Sequence, residues 1–330
     1  MDKKAVRVLN SKFKNIKIVN SKRSFEFNFA WLFAILVGAI ILFLAIYFAV
    51  RWVGTGTYQV STITMKQLSI IFEPLEVGLA SGKSSLAVLK EETRIYDKCE
   101  EQGNFGKQKF SGAGKIFGNK WSKPGAEISV PNKYIFSNGT EQGKIVYFFS
   151  KPFEMPWKVS EIIFLTTEKY CFVNAPEFVV DEVSGLNLGN IRFENCSNEI
   201  KVCFSSSGCE IEVSPSCLQD CDEQEEYSYG FVNKKGENMF FVGSLMYAGI
   251  FSNKDIYECN VKRLMKRLEK QALLFNNEIN FLTGKCGNPS NFIQLSSLAR
   301  SLKSSRDLLL VYNIAKEVEK QNEASECKLW

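Results

Sequence analysis

From Phe27 to Val50 the chain reads FNFAWLFAILVGAIILFLAIYFAV, with Asn28 its single strongly polar side chain. Twenty-four helical residues at about 1.5 Å each reach roughly 36 Å, enough to cross a ~30 Å hydrocarbon layer with some tilt. Trp31 lies near one end and Tyr47 and Trp52 near the other, where an interfacial aromatic belt belongs. The run is too long for the apolar core of a cleaved signal, and no small-x-small site follows it, so it reads as an uncleaved signal-anchor over residues 27–53.

After Gly54-Thr55-Gly56 the pattern changes. Residues 54–75 form a juxtamembrane segment in which Ile63, Leu68, Ile71 and Leu75 suit a short amphipathic helix ended by Pro74. From about 76 to 252 short apolar, aromatic and β-branched runs alternate with Gly, Asn, Ser and Pro: SSLAVL, AEISV, KYIFS, KIVYFFS, EIIFLTT, KYCFVNA, NIRFENC, IKVCFS and CEIEVS. These predict half-buried strands in antiparallel pairs, with the Gly/Lys-rich stretch 103–125 as an exposed loop. Residues 253–330 return to helical spacing, with Val261, Leu264, Leu268, Leu274, Ile279 and Leu282 before GKCGNPS, and Leu295, Leu298, Leu302, Leu309, Ile314 and Val318 after it. That is an αα-hairpin. The fold class expected is α+β: an N-terminal transmembrane helix, a mainly antiparallel β ectodomain and a C-terminal helical hairpin, rich in disulfides.

Charge orients this scheme. Residues 1–26 carry eight basic side chains (Lys3, Lys4, Arg7, Lys12, Lys14, Lys17, Lys22, Arg23) and two acidic ones (Asp2, Glu26), a net +6. The whole chain is +5, so the remainder sums to −1. The positive-inside rule puts the tail in the cytoplasm and the rest outside. A near-neutral outer part excludes nucleic acid as a partner, since phosphate binding needs a basic face. All ten cysteines lie after the helix: Cys99, Cys171, Cys196, Cys203, Cys209, Cys217, Cys221, Cys259, Cys286 and Cys327. An even number confined to the exported part reads as a disulfide framework. Antiparallel packing of the hairpin predicts a Cys259–Cys327 pair. A Cys₄ zinc site from Cys203, Cys209, Cys217 and Cys221 is the competing reading, weakened by irregular spacing. Asn138-Gly-Thr and Asn195-Cys-Ser are sequons and permit N-glycosylation.

Candidate chemistry is sparse. The chain has no histidine, which excludes Ser-His-Asp and Cys-His catalysis and HExxH zinc sites. Gly78-Leu-Ala-Ser-Gly-Lys83-Ser84 is one residue short of a phosphate loop and reads as a turn into a strand. A Ser–Lys dyad at Lys83, Ser84 and Ser85 lacks the SxxK spacing. Asp181, Glu182, Glu223, Glu225 and Glu226 supply carboxylates for a glycosidase-like pair without specifying one; the run Asp220–Glu226 reads as a solvated loop or a loose calcium site. Lys262, Arg263, Lys266, Arg267 and Lys270 form a basic stripe at helical spacing, expected to be a wet face open to anionic glycan or lipid headgroups. No residue is assigned a catalytic, cofactor-binding or metal-ligating role, and no cofactor is implied.

Two resemblances add to this. Lys22-Arg23-Ser24 and Glu26 ahead of the apolar run resemble, over about 30 residues, the leader and helix of type IV pilin-like subunits. The glycine usual before the cut is missing, and Glu26 is too near Ser24/Phe25. More broadly, the anchor FEFNFAWLFAILVGAIILFLAIY, with ETRIYDKCEEQGNFGKQKFS (92–111), NKYIFS (132–137), YFFSKPFEMPWKV (147–159) and KYCFVNAPE (169–177), resembles uncharacterised single-pass membrane proteins of small-genome (DPANN-type) archaea. That resemblance implies an archaeal envelope location and no reaction. The expectation is a single-pass protein, held in the lipid bilayer by residues 27–50, whose ectodomain has a binding or structural role toward a protein or surface glycan. A pilin-like filament subunit and an extracellular carboxylate-dependent hydrolase are the alternatives.

Overall fold

The computed structural model describes residues 29–77, 84–116, 120–216, 227–281, 291–325 and 328–330; the chain divides into two units, Met1–Val53 and Gly54–Trp330. Helix α1 runs from Phe29 to Val77. Its first part, Phe29–Trp52, has a mean hydropathy of 2.9 with none of it buried, so it is long and apolar enough to cross a membrane. The expected break at Gly54-Thr55-Gly56 and the stop at Pro74 are both corrected, because the helix continues through them. Each helical glycine costs only about 1 kcal/mol, too little by itself to end a helix of this length. Of the expected stripe, Leu68 is buried and Ile71 packs against the core, and only Ile63 departs among the described residues. Ser61, Met65, Leu68 and Phe72 face inward, while Ile63 is 55% exposed.

Those side chains cover one face of a six-stranded sheet ordered β3-β2-β1-β5-β6-β4. The strands are β1 (Ser84–Glu100), β2 (Lys107–Gly114), β3 (Ile128–Pro131), β4 (Ile135–Phe136), β5 (Thr140–Glu154) and β6 (Lys158–Thr166). Phe72 meets Phe110 of β2 and Phe148 of β5 at ring distances of 5.6 and 5.7 Å. Residues 107–114, read as exposed loop, are thus an inner strand. Their glycines are the reason: a Cβ on Gly112 would stand 2.8 Å from the Met65 methyl, so glycine lets α1 approach the sheet. In β6, Ile163 and Leu165 join the core under α1, while Ile162 and Phe164 point into a second, larger core. A strand buried on both faces carries an almost unbroken apolar run.

The second sheet is ordered β12-β11-β10-β9-β7-β8, from β7 (Tyr170–Val173), β8 (Ile191–Arg192), β9 (Ile200–Phe204), β10 (Ile211–Pro215), β11 (Tyr229–Lys234) and β12 (Glu237–Val242). Here the antiparallel expectation is corrected in part, since β7–β8, β7–β9 and β9–β10 are parallel. Parallel neighbours need a crossover, and helix α2 (Glu177–Gly185), with Val179 and Val183 buried one turn apart, supplies one inside a stretch read as all strand. The short helix α3 (Leu245–Phe251) is buried along its whole length. Its Phe251 packs on Phe149 and Phe164 of the first sheet and on Tyr170 and Phe172 of the second.

The predicted hairpin is three helices. Its first arm is α4 (Lys254–Phe281); the second is split into α5 (Phe292–Ser301) and α6 (Leu308–Ala324). The split occurs at Ser305, whose backbone N–H and hydroxyl both donate to Glu258 of α4, at 2.8 and 2.6 Å. Asp307 accepts from the N–H groups of Lys303 and Ser304 and starts the new turn.

Candidate functional site

Six of the ten cysteines lie at disulfide distance in three pairs. Cys99–Cys259, Cys171–Cys196 and Cys203–Cys209 have Cα separations of 6.1, 5.7 and 5.7 Å. The expected Cys259–Cys327 pairing is corrected: Cys259 sits at the start of α4 against Cys99 of β1, and the second arm, being broken, lacks the equal-length return that pairing assumed. Cys203 and Cys209 pair with each other, which removes two thiolates from the four-cysteine zinc reading. Cys217, Cys221, Cys286 and Cys327 lie outside the described residues, as do Glu26, Gly78–Lys83 and Asp220–Glu226. Of the phosphate-loop-like motif only Ser84 is described, its hydroxyl donating to the Leu186 carbonyl.

The basic stripe on α4 is only in part a wet face: Lys270 is exposed and Lys262, Lys266 and Arg267 are half-buried. Arg263 is fully buried. Its guanidinium donates to the Phe105 carbonyl at 2.9 Å, to Asn260 Oδ1 at 2.7 Å and to Gln108 Oε1 at 3.3 Å, and lies over the Tyr134 ring at 4.8 Å. Gln108 in turn donates to the Asp97 carboxylate at 3.1 Å, and Ser137 donates to it at 2.8 Å. Burial pushes the Asp97 carboxyl up to about 7, opposed by the hydrogen bonds from Ser137 and Gln108 and by Arg263. Burial pulls the Arg263 guanidinium down to about 10. Lys262 and Lys266 both reach Glu101, the former pairing with its carboxylate at 3.1 Å. Three of the five, Lys262, Arg263 and Lys266, therefore fasten α4 to the loop between β1 and β2, while Lys270 stays exposed beside Glu269.

One step along, the β4–β5 turn holds a tighter group. Asn138 and Gly139 form that turn; Gly139 has φ +78° and lies against the Asn253 amide, which excludes a side chain there. Lys234, the last residue of β11, crosses from the second sheet. Its Nζ donates to Asn138 Oδ1 at 2.7 Å and to the carbonyls of Ile250 and Ser252, both at 3.1 Å, at the C-terminus of α3. Beneath the turn, the buried Glu141 carboxylate accepts from the Asn138 N–H at 3.1 Å and from the Thr167 N–H and hydroxyl at 2.9 Å. Burial pulls the Lys234 amine down to about 8, with the Glu141 charge opposing, and pushes the Glu141 carboxyl up. The Tyr170 hydroxyl, raised by burial, touches both Thr166 and the Asn138 side chain. A cleft of about 400 Å³ opens over this group, lined also by Glu168, Glu210, Met239 and Asn253.

Asn138 belongs to a sequon, yet its side-chain amide is half-buried and engaged by Lys234; Asn195 is exposed beside Cys196. Nothing local marks Lys234, because its partner is 96 residues away. A second cleft, about 360 Å³, is lined by Lys151, Glu154, Glu182, Tyr312, Lys316 and Glu319. Glu182 pairs with Lys151 and accepts from the Tyr247 hydroxyl at 2.6 Å, and Glu319 pairs with Lys316 at 3.4 Å. Two of its three carboxylates are thus already bound to lysines, and Asp181 stands exposed on α2. Comparison with family models, with curated proteins and with solved structures returns no match.

Proposed function

We propose that this is a membrane-anchored, extracytoplasmic protein of the cell envelope with a structural or binding role. The observation that carries the reading is α1: its Phe29–Trp52 span is apolar and unburied along its length, while every described cysteine downstream is paired. Uncovered apolar surface on this scale is stable only in lipid or against other apolar chains, and paired thiols belong to oxidising compartments. The polar interior supports a structural role, since Asp97, Glu141, Lys234 and Arg263 are each hydrogen-bonded to neutral groups that join different elements. External protease on intact cells should remove the domain after Gly54 and leave a fragment containing residues 1–53 in the membrane. Digestion of the tail from outside, or ten free thiols in the native protein, would overturn the reading.

One observation favours a second reading. The continuity of α1 from an uncovered apolar half into a half packed on a mainly antiparallel sheet suits a pilin-like subunit, whose long helix packs in a filament. The same fragment decides this case: an N-terminus at Phe25 supports it, and an intact Met1 overturns it.

A further inference from the structure

The group at the β4–β5 turn sets a lysine amine of the second sheet against a side-chain carboxamide of the first. We propose that Lys234 and Asn138 become joined by an amide bond between their side chains, a covalent cross-link from the second sheet to the first. The geometry carries the proposal. Lys234 Nζ is 2.7 Å from Asn138 Oδ1, and the amide carbon is bonded to that oxygen at about 1.2 Å, so it lies no more than about 4 Å from Nζ. Reacting atoms about 3–3.5 Å apart are in attack range. Both partners are held: the turn by Glu141 and Asn253, the lysine by the two carbonyls at the end of α3. Two groups so fixed meet at a high effective concentration, which lowers the main obstacle to a lysine attacking an unactivated amide.

The chemistry needs no co-reactant. Lys234 sheds a proton to solvent in the cleft to become the free amine, a state that its withdrawal from water favours. The Nζ lone pair forms a bond to Asn138 Cγ as the C=O π pair moves onto Oδ1, and that pair re-forms the carbonyl in the next step. The Cγ–Nδ2 bond then breaks, its electron pair leaving with Nδ2. Nζ gives up its second proton to that nitrogen, and ammonia departs through the open cleft. A lysine and a carboxamide become a secondary amide and ammonia, with no change of oxidation state. Glu141 is a positioning residue. It holds the Asn138 N–H and, as a buried carboxyl near Lys234, sets the charge against which the amine deprotonates. A glycan on Asn138 would use the same Nδ2, so the two modifications exclude each other.

The test is intact mass and peptide mapping of the full chain, purified with its anchor in detergent. The expected result is a loss of one ammonia and a branched peptide joining the segment around Asn138 to that around Lys234. Attack by the Gly139 N–H on the same side chain also releases ammonia, but it yields a linear peptide, so the branch decides. Lys234→Gln and Asn138→Ala should each retain the full mass expected for their sequence, and far-ultraviolet circular dichroism with disulfide mapping shows whether they fold. Glu141→Gln should slow the linkage and move its pH profile, which a purely structural role would not do. Recovery of separate peptides from the wild type, with Lys234 free to acetylation after denaturation, would overturn the proposal, as would a glycan on Asn138.

Discussion

Asp97 is the residue at which burial and charge conflict most openly. Its carboxyl titrates near 7 in the fold and at 3.8 unfolded. Between those values the native state therefore binds more protons than the unfolded chain, and stability falls as pH rises from about 4 to about 7. A shift of about three units corresponds to roughly 4 kcal/mol at most. Asp97→Asn should lack this loss. Denaturant midpoints of variant and wild type, compared pH by pH, should diverge across that window in the variant's favour. A constant difference from pH 4 to 8 would mean that the carboxyl ionises in the fold as it does in water. Lys234 acts with the opposite slope. Its folded value of about 8 lies below the unfolded 10.5, so the native state binds fewer protons there and stability recovers as pH rises from about 8 to 10.5. A chain cross-linked at Lys234 has no amine to titrate and would lack that recovery.

Among elements, α1 and β2 show how far local pattern reaches. Gly112 has Met65 where a Cβ would go, 2.8 Å from its methyl. Gly112→Val should overpack this contact and cost about 1–3 kcal/mol. Truncating Met65 to Ala in the same chain should recover part of that loss, making the pair non-additive; independent effects on thermal unfolding would place the glycine's role elsewhere. The strand runs SSLAVL through CEIEVS were legible because their side chains alternate or are wholly apolar, and each falls on a strand. Residues 107–114 were not, because KQKFSGAG carries no apolar alternation. Its burial comes from a helix some 40 residues earlier in the chain packing onto small side chains. The three-helix C-terminus was hidden for a similar reason: the break at Ser305 depends on Glu258 across the interface. Of the candidate site, the cysteines were legible as a set but not as pairs, and Asn138 was legible only as a sequon. Lys234 and Arg263 acquire their roles from partners 96 and 155 residues away.

For the unit Gly54–Trp330 as a whole, long-range contacts tie the first sheet to the second sheet and to α4. Cys99–Cys259 closes a loop of 160 residues. Arg263, Asn260, Gln108 and Asp97 continue the same seam in hydrogen bonds, and Ser137, which donates to Asp97 and accepts from the Gly139 N–H, carries it to the Asn138 turn and Lys234. A loop of that length places the chain-entropy contribution of the disulfide at about 5 kcal/mol. Replacing both cysteines by serine should therefore lower the midpoint of thermal unfolding by on the order of 10 °C. The neighbouring polar bonds should keep the two parts docked below that temperature. The distinguishing measurement is hydrogen exchange. If the seam is one cooperative unit, the amides of β1 and of the first turns of α4 lose protection together in the serine variant. If α4 alone loosens, the disulfide is a local staple and the buried arginine network does not couple the halves.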